Sequence, residues 1–93
     1  MKTYIIIENY TENAYRSENE VKTNVCDVYS TRNAALKRVE ELAAHVVEAI
    51  TDGDENEMSR ISLNERTRNG HEIEDDNCQL WEWVVEERVI KEG

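Results

Sequence analysis

Between Ser30 and Gly53 apolar residues recur at steps of three and four: Leu36, Val39, Ala43, Val46 and Ile50. Ala35, Leu42 and Val47 widen the stripe, and Lys37, Arg38, Glu40, Glu41, His45 and Glu48 fall on the opposite side. That period belongs to a helix with one buried face. Ser30 or Thr31 is placed to cap its first N–H groups, and Gly53 to take the left-handed conformation that ends it. A stripe of this length needs another element to cover it. No second helical pattern of comparable quality occurs, so the partner is a sheet.

The rest of the chain reads as strands. Lys2–Tyr10 has apolar side chains on both faces, Ile5 and Ile7 on one and Tyr4 and Ile6 on the other, which predicts an interior strand. Thr11–Glu20 is polar and turn-like, with Tyr15 placed to extend a hairpin. In Val21–Tyr29, Val21, Thr23 and Val25 point one way and Cys26 and Val28 the other. A bulge would resolve that mixture, and the buried face stays open. After the helix comes an acidic loop, Asp52–Glu57, then Met58–Arg68 with Ile61 and Leu63 alternating. Asn69-Gly70 is a two-residue hairpin signal. Glu72–Asn77 forms the return arm. Cys78–Ile90 is the last strand, with Trp81, Trp83, Val85 and Val89 on one face. The expectation is one α+β domain over residues 1–93, in ββαββ order, with one long helix on an antiparallel sheet of four or five strands. Trp81, Trp83, Tyr4 or Ile5, Ile7, Val39, Val46 and Ile50 are its expected core.

Composition changes this picture through charge. The chain of 93 residues has 21 acidic and 11 basic side chains, a net charge of −10. Residues 1–51 hold 8 acidic and 6 basic groups, a net of −2; residues 52–93 hold 13 and 5, a net of −8. Binding to nucleic acid rests on Lys and Arg neutralising phosphates, so direct contact with DNA or RNA is disfavoured. No apolar run approaches membrane-spanning length. The apolar part of Met1–Glu8 is too short for a signal peptide, and a cytoplasmic setting follows, with Cys26 and Cys78 as reduced structural thiols.

Catalytic and metal chemistry find little footing. Asp52, Asp54 and Asn56 begin like a calcium loop, but Glu57 and Leu63 stand where glycine and a bidentate glutamate are needed. His45 and His71 lack zinc-site spacing. Cys26 or Cys78 with either histidine would supply a nucleophile and a base, but a small core leaves little room for a deep pocket, and the many carboxylates follow from composition. No cofactor, metal or catalytic residue is assigned.

Val28-Tyr29-Ser30-Thr31 leads into the alanine-rich helix, and Leu80-Trp-Glu-Trp-Val-Val-Glu-Glu closes the chain. In both respects the sequence resembles small uncharacterised phage and bacterial proteins of ββαββ type. In size and acidity it is also similar to phage-encoded inhibitors of bacterial defence, anti-CRISPR proteins among them. That second likeness carries over no residues.

The acidic run Glu72, Glu74, Asp75 and Asp76, with Asp52, Asp54, Glu55 and Glu57, forms the candidate binding surface. A row of carboxylates can imitate the charge density of DNA, about one charge per 1.7 Å of axis. The expected partner is therefore a basic surface on a host nucleic-acid-binding protein, and the expected role is inhibition of a defence enzyme by nucleic-acid mimicry. An accessory homodimer formed through a strand edge and a small thiol- or metal-dependent enzyme are the alternatives.

Overall fold

The computed structural model describes residues 1–12 and 21–91. The expectation for Tyr15 lies outside them. The helix α1 spans Arg32–Thr51. Thr31 caps it, its Oγ1 accepting the Ala34 N–H at 3.2 Å. Both Asp52 (φ 52°) and Gly53 (φ 71°) take the left-handed conformation at its end. The Gly53 N–H closes the last turn on the Glu48 carbonyl at 3.1 Å. Glycine carries no Cβ penalty there, whereas Asp52 does. None of the helices among the described residues is long and apolar enough to cross a membrane.

Five strands make one antiparallel sheet: β1 Lys2–Thr11, β2 Val21–Tyr29, β3 Ile61–Thr67, β4 Gly70–Asp75 and β5 Leu80–Val89. Their spatial order is β2-β1-β5-β4-β3, so β1 is interior, as its two-sided apolar pattern predicts. A 3₁₀ helix, Glu55–Arg60, joins α1 to β3. The fold is α+β, with α1 packed across one face of the sheet.

That face holds the core. Ile6, Ile73, Trp83 and Val85 are buried against Ala35, Val39, Ala43 and Ile50 of the helix. Leu36, Leu42, Val46, Val47, Tyr4 and Trp81 pack around them. Tyr10 and Trp81 add a tilted ring pair, centroids 5.2 Å apart. The indole N–H of Trp83 donates to Glu8 Oε2 at 2.8 Å, so burying the ring leaves no orphaned donor. Ile7, expected in the core, lies on the other face, as does Ile5, and of the alternatives Tyr4 or Ile5 it is Tyr4 that packs against the core. Successive strand residues alternate, and the helix covers the side that carries Tyr4, Ile6 and Glu8.

Two bulges decide which faces meet. On β2, Asp27 pairs with Ile6 and Val25 with Ile7, so Cys26 is the extra residue. It reverses the strand's parity: Val21, Thr23, Val25 and Val28 all pair with odd-numbered residues of β1 and share the uncovered face. Cys26 and Tyr29 pack toward the core instead. On β3, Ile61 pairs with Asp75 and Leu63 with Glu74, which makes Ser62 the bulge. Its hydroxyl bridges the carbonyls of Glu74 and Asp75 at 3.1 and 3.2 Å. Ile61 therefore joins the core, and Leu63 takes the far face.

The β3–β4 turn also differs from expectation. Thr67 pairs with Gly70, so Arg68 and Asn69 make the turn and Gly70 opens β4. Gly70 has no positive φ. A Cβ there would stand 1.7 Å from the Trp83 carbonyl oxygen. Glycine serves close approach to β5, not turn conformation. Asn69 anchors the same corner: its carbonyl accepts the Val85 N–H at 2.7 Å and its side chain accepts from Arg32 at 3.0 Å.

Two substitutions test this packing by denaturant unfolding. Trp83→Ala removes the largest buried side chain and costs about 3–5 kcal/mol. Gly70→Ala forces β4 from β5 and costs about 3 kcal/mol, the upper end for overpacking. Near-wild-type midpoints would refute the assignment.

Candidate functional site

The two faces of the sheet are unequal. One is roofed by α1. The other has no layer over it among the described residues, and the register maps its composition. Val25, Ile7 and Val84 stand side by side on β2, β1 and β5, and Val28, Ile5 and Glu86 form the next row. Val25 and Val28 are 60% and 61% exposed. On the other side of the Val25 row, Asn9 pairs with Glu82, Glu82 with Glu72, and Glu72 with Glu65. Three carboxylates thus lie abreast on β5, β4 and β3, about 4.8 Å apart at strand spacing. Among the described residues no ion pair reaches Glu65, Glu72 or Glu82. Like charges directly opposite one another oppose sheet formation, so local folding does not account for the row.

The eight acidic residues picked from sequence divide. Glu72 and Glu74 are half-buried on the uncovered face, and Asp76 is exposed at its end. The Asp76 N–H donates to the Arg60 carbonyl at 2.8 Å, which sets it beside the 3₁₀ helix that carries Glu55 and Glu57. Asp52 and Asp54 are exposed in the loop between the helices, where Asp54 Oδ1 caps the 3₁₀ helix through the Asn56 N–H at 2.9 Å. These groups share one end of the sheet. Asp75, expected among them, is instead only 5% exposed. Its Oδ1 accepts the N–H groups of Asn77 and Gln79 at 3.0 and 2.9 Å, holding the turn in which Cys78 sits at φ 61°. Its charge is spent on that turn and does not contribute to an exposed surface.

Glu65 and Glu82 were missed. Placing the turn at Asn69-Gly70 pairs Glu72 with Thr67; the observed turn pairs it with Glu65. The signal was one misassigned glycine away. Glu82 needed the β4–β5 register, which is fixed only by tertiary packing.

The thiol–histidine alternative fares differently. Cys26 lies on the edge strand β2 and His71 on β4, three strand spacings or about 14 Å away. His45 is exposed on the outer side of α1. Burial, then the nearby Glu8 carboxylate, pushes the Cys26 thiol up, and its Sγ donates to Glu8 at 3.7 Å. A thiol held protonated is a poor nucleophile. Cys26 and Cys78 are both free. Among the described residues no group of three or more His, Cys, Asp or Glu is placed to hold a metal ion.

His71 sits beneath α1 beside Asn64, its Nε2 2.5 Å from Asn64 Oδ1, while its buried Nδ1 has no hydrogen-bond partner among the described residues. Burial, reinforced by Arg66, lowers its pKa from the ordinary 6.5. The unfolded chain then takes up a proton first, so stability is lost as pH falls through 6.5 toward the folded value. Unfolding midpoints of wild type and His71→Gln, compared from pH 7.5 to 5.5 (about two units across that range), should show wild type losing ground to the variant as pH falls. A constant difference would exclude this role.

None of the protein-family models, curated proteins or solved structures compared with this chain matches it.

Proposed function

We propose that this chain is a small acidic interaction protein, phage-encoded, which inhibits a host nucleic-acid-binding defence enzyme by occupying its basic surface. The observation that carries this reading is the row Glu65–Glu72–Glu82. Its spacing of about 4.8 Å is of the same order as the 3.4 Å per charge along one strand of duplex DNA. It is maintained against its own repulsion and continues past Glu74 toward Asp76 and the 3₁₀ helix. Lys and Arg lining a nucleic-acid groove would find counter-charges at regular intervals there. The net charge of −10 adds a long-range field that steers a basic partner and repels competing nucleic acid.

The acidic row should trade stability for binding. Glu72→Gln removes the central charge and should raise folding stability by about 0.2–1 kcal/mol, the size of one cross-strand pair. The same change should slow association with a partner captured from bacterial lysate. Reversing Glu65, Glu72 and Glu82 to lysine should abolish capture, and duplex DNA should displace the partner from wild type. Binding should weaken as salt rises, because exposed charges are screened beyond about 10 Å at 0.1 M. If the lysine variant captures the same partner as tightly at low salt, the proposal fails.

A further inference from the structure

The strand β1 has the composition of a strand buried on both sides, yet among the described residues nothing covers one side. Ile5 and Ile7 lie there, flanked by Val25 and Val28 of β2 and by Val84 of β5. None of these five belongs to the core or packs against it. The molecule's thinnest dimension is 19 Å, the depth of one sheet and one helix. A three-layer domain would place a second helix here. Contiguous apolar surface rimmed by charge marks an interaction site in soluble proteins.

We propose that this bare face docks an amphipathic basic helix of the partner, which supplies the missing third layer. The inference rests on the acidic-interaction reading above and names the element of the partner that makes contact. Dimensions and charge both select that occupant. Three strands at about 4.8 Å spacing give an apolar band roughly 10 Å wide, the width of one helix. Along the strands the apolar residues fill two neighbouring rows, Val28–Ile5 and Val25–Ile7–Val84, and the next row, Thr23–Asn9–Glu82, is polar. The Glu82–Glu72–Glu65 row stands beside the band across β5, β4 and β3. A helix with leucine-type residues on one side and Lys or Arg along the flank satisfies both surfaces at once. A second copy of this chain would bring its own charge of −10 onto the same carboxylates, and is disfavoured for that reason.

The test uses a synthetic Leu/Lys peptide of about eighteen residues with helical periodicity, and a scrambled peptide of the same composition. Binding is followed by Ile and Val methyl NMR shifts on the full chain. The amphipathic peptide should bind at least tenfold more tightly than the scrambled one, with shifts centred on Ile5, Ile7, Val25, Val28 and Val84. The pair Val25→Lys and Val28→Lys should weaken it tenfold or more. Should that variant fold poorly by circular dichroism, Val25→Thr with Val28→Thr keeps the shape and should still weaken binding severalfold. Equal binding of the two peptides, or shifts confined to Ile50 and Ile61 on either side of the 3₁₀ helix, overturns the proposal. So does a concentration-dependent doubling of mass that broadens these methyls in the free chain, because a second copy then holds the face. The valine variants are also run in the lysate capture. If they capture the partner normally while the Glu→Lys variant does not, the helix docking is wrong and the acidic interaction stands. If the peptide binds as described but the Glu→Lys variant still captures its partner, the acidic interaction is what fails.

Discussion

The indole of Trp83 is the point on which the other contacts depend. It lies on β5, between β1 and β4, directly beneath the helix, and it is almost fully excluded from water. A ring that large can be buried only if its N–H is matched, and Glu8 on the neighbouring strand matches it. The match draws a carboxylate into the covered layer, where the thiol of Cys26 shares it. The carbonyl of the same tryptophan then dictates a residue without a side chain at position 70. One side chain thus ties together β1, β5, the edge strand β2 and the start of β4. A chain with no proline and no phenylalanine has few other means of fixing three strands under one helix.

Among the described residues a single α-helix roofs one side of a five-stranded sheet and nothing covers the other. The second side is therefore exposed to selection for something other than the core. Its composition is split: aliphatic toward β2 and β1, anionic toward β4 and β3. The split follows from the strand order, since β1 and β2 come from the nearly neutral half of the sequence and β3 to β5 from the acidic half. Charge asymmetry along the chain becomes charge asymmetry across one surface.

The helix was legible almost to the residue, because its stripe repeats through twenty residues and both ends carry capping chemistry. The boundaries of β2 and the interior place of β1 were legible for similar reasons. What sequence concealed were parities. A bulge at Cys26 and another at Ser62 each shift the inside–outside alternation by one residue; the mixed alternation of β2 called for the first without giving its position, and nothing local marks the second. Ile7 was misplaced because apolar residues stand on both sides of β1, and the alternation expected of Ile61 and Leu63 is broken by the bulge between them. The Asn69-Gly70 pair has the composition of a turn, but Gly70 answers to a carbonyl thirteen residues later. The acidic surface was half visible. Asp75 looked like its neighbours until its hydrogen bonds showed that the turn consumes it, and Glu65 and Glu82 became its neighbours only once three strands were set in register.

The bulge at Cys26 has a consequence for how such a chain can change over time. A residue inserted into a strand normally turns everything on one side of it upside down, exchanging core for surface. In β2 that exchange has already been absorbed, at an edge, where only one neighbour must adjust. The segment Val21–Val25 therefore keeps an inside–outside alternation of its own, one residue out of phase with Asp27–Tyr29. Mutation can rewrite the outward valines without consulting the packing beneath α1. A protein under pressure to follow a changing partner would keep its variable positions in such a segment, on the open side of an edge strand with its own independent phase.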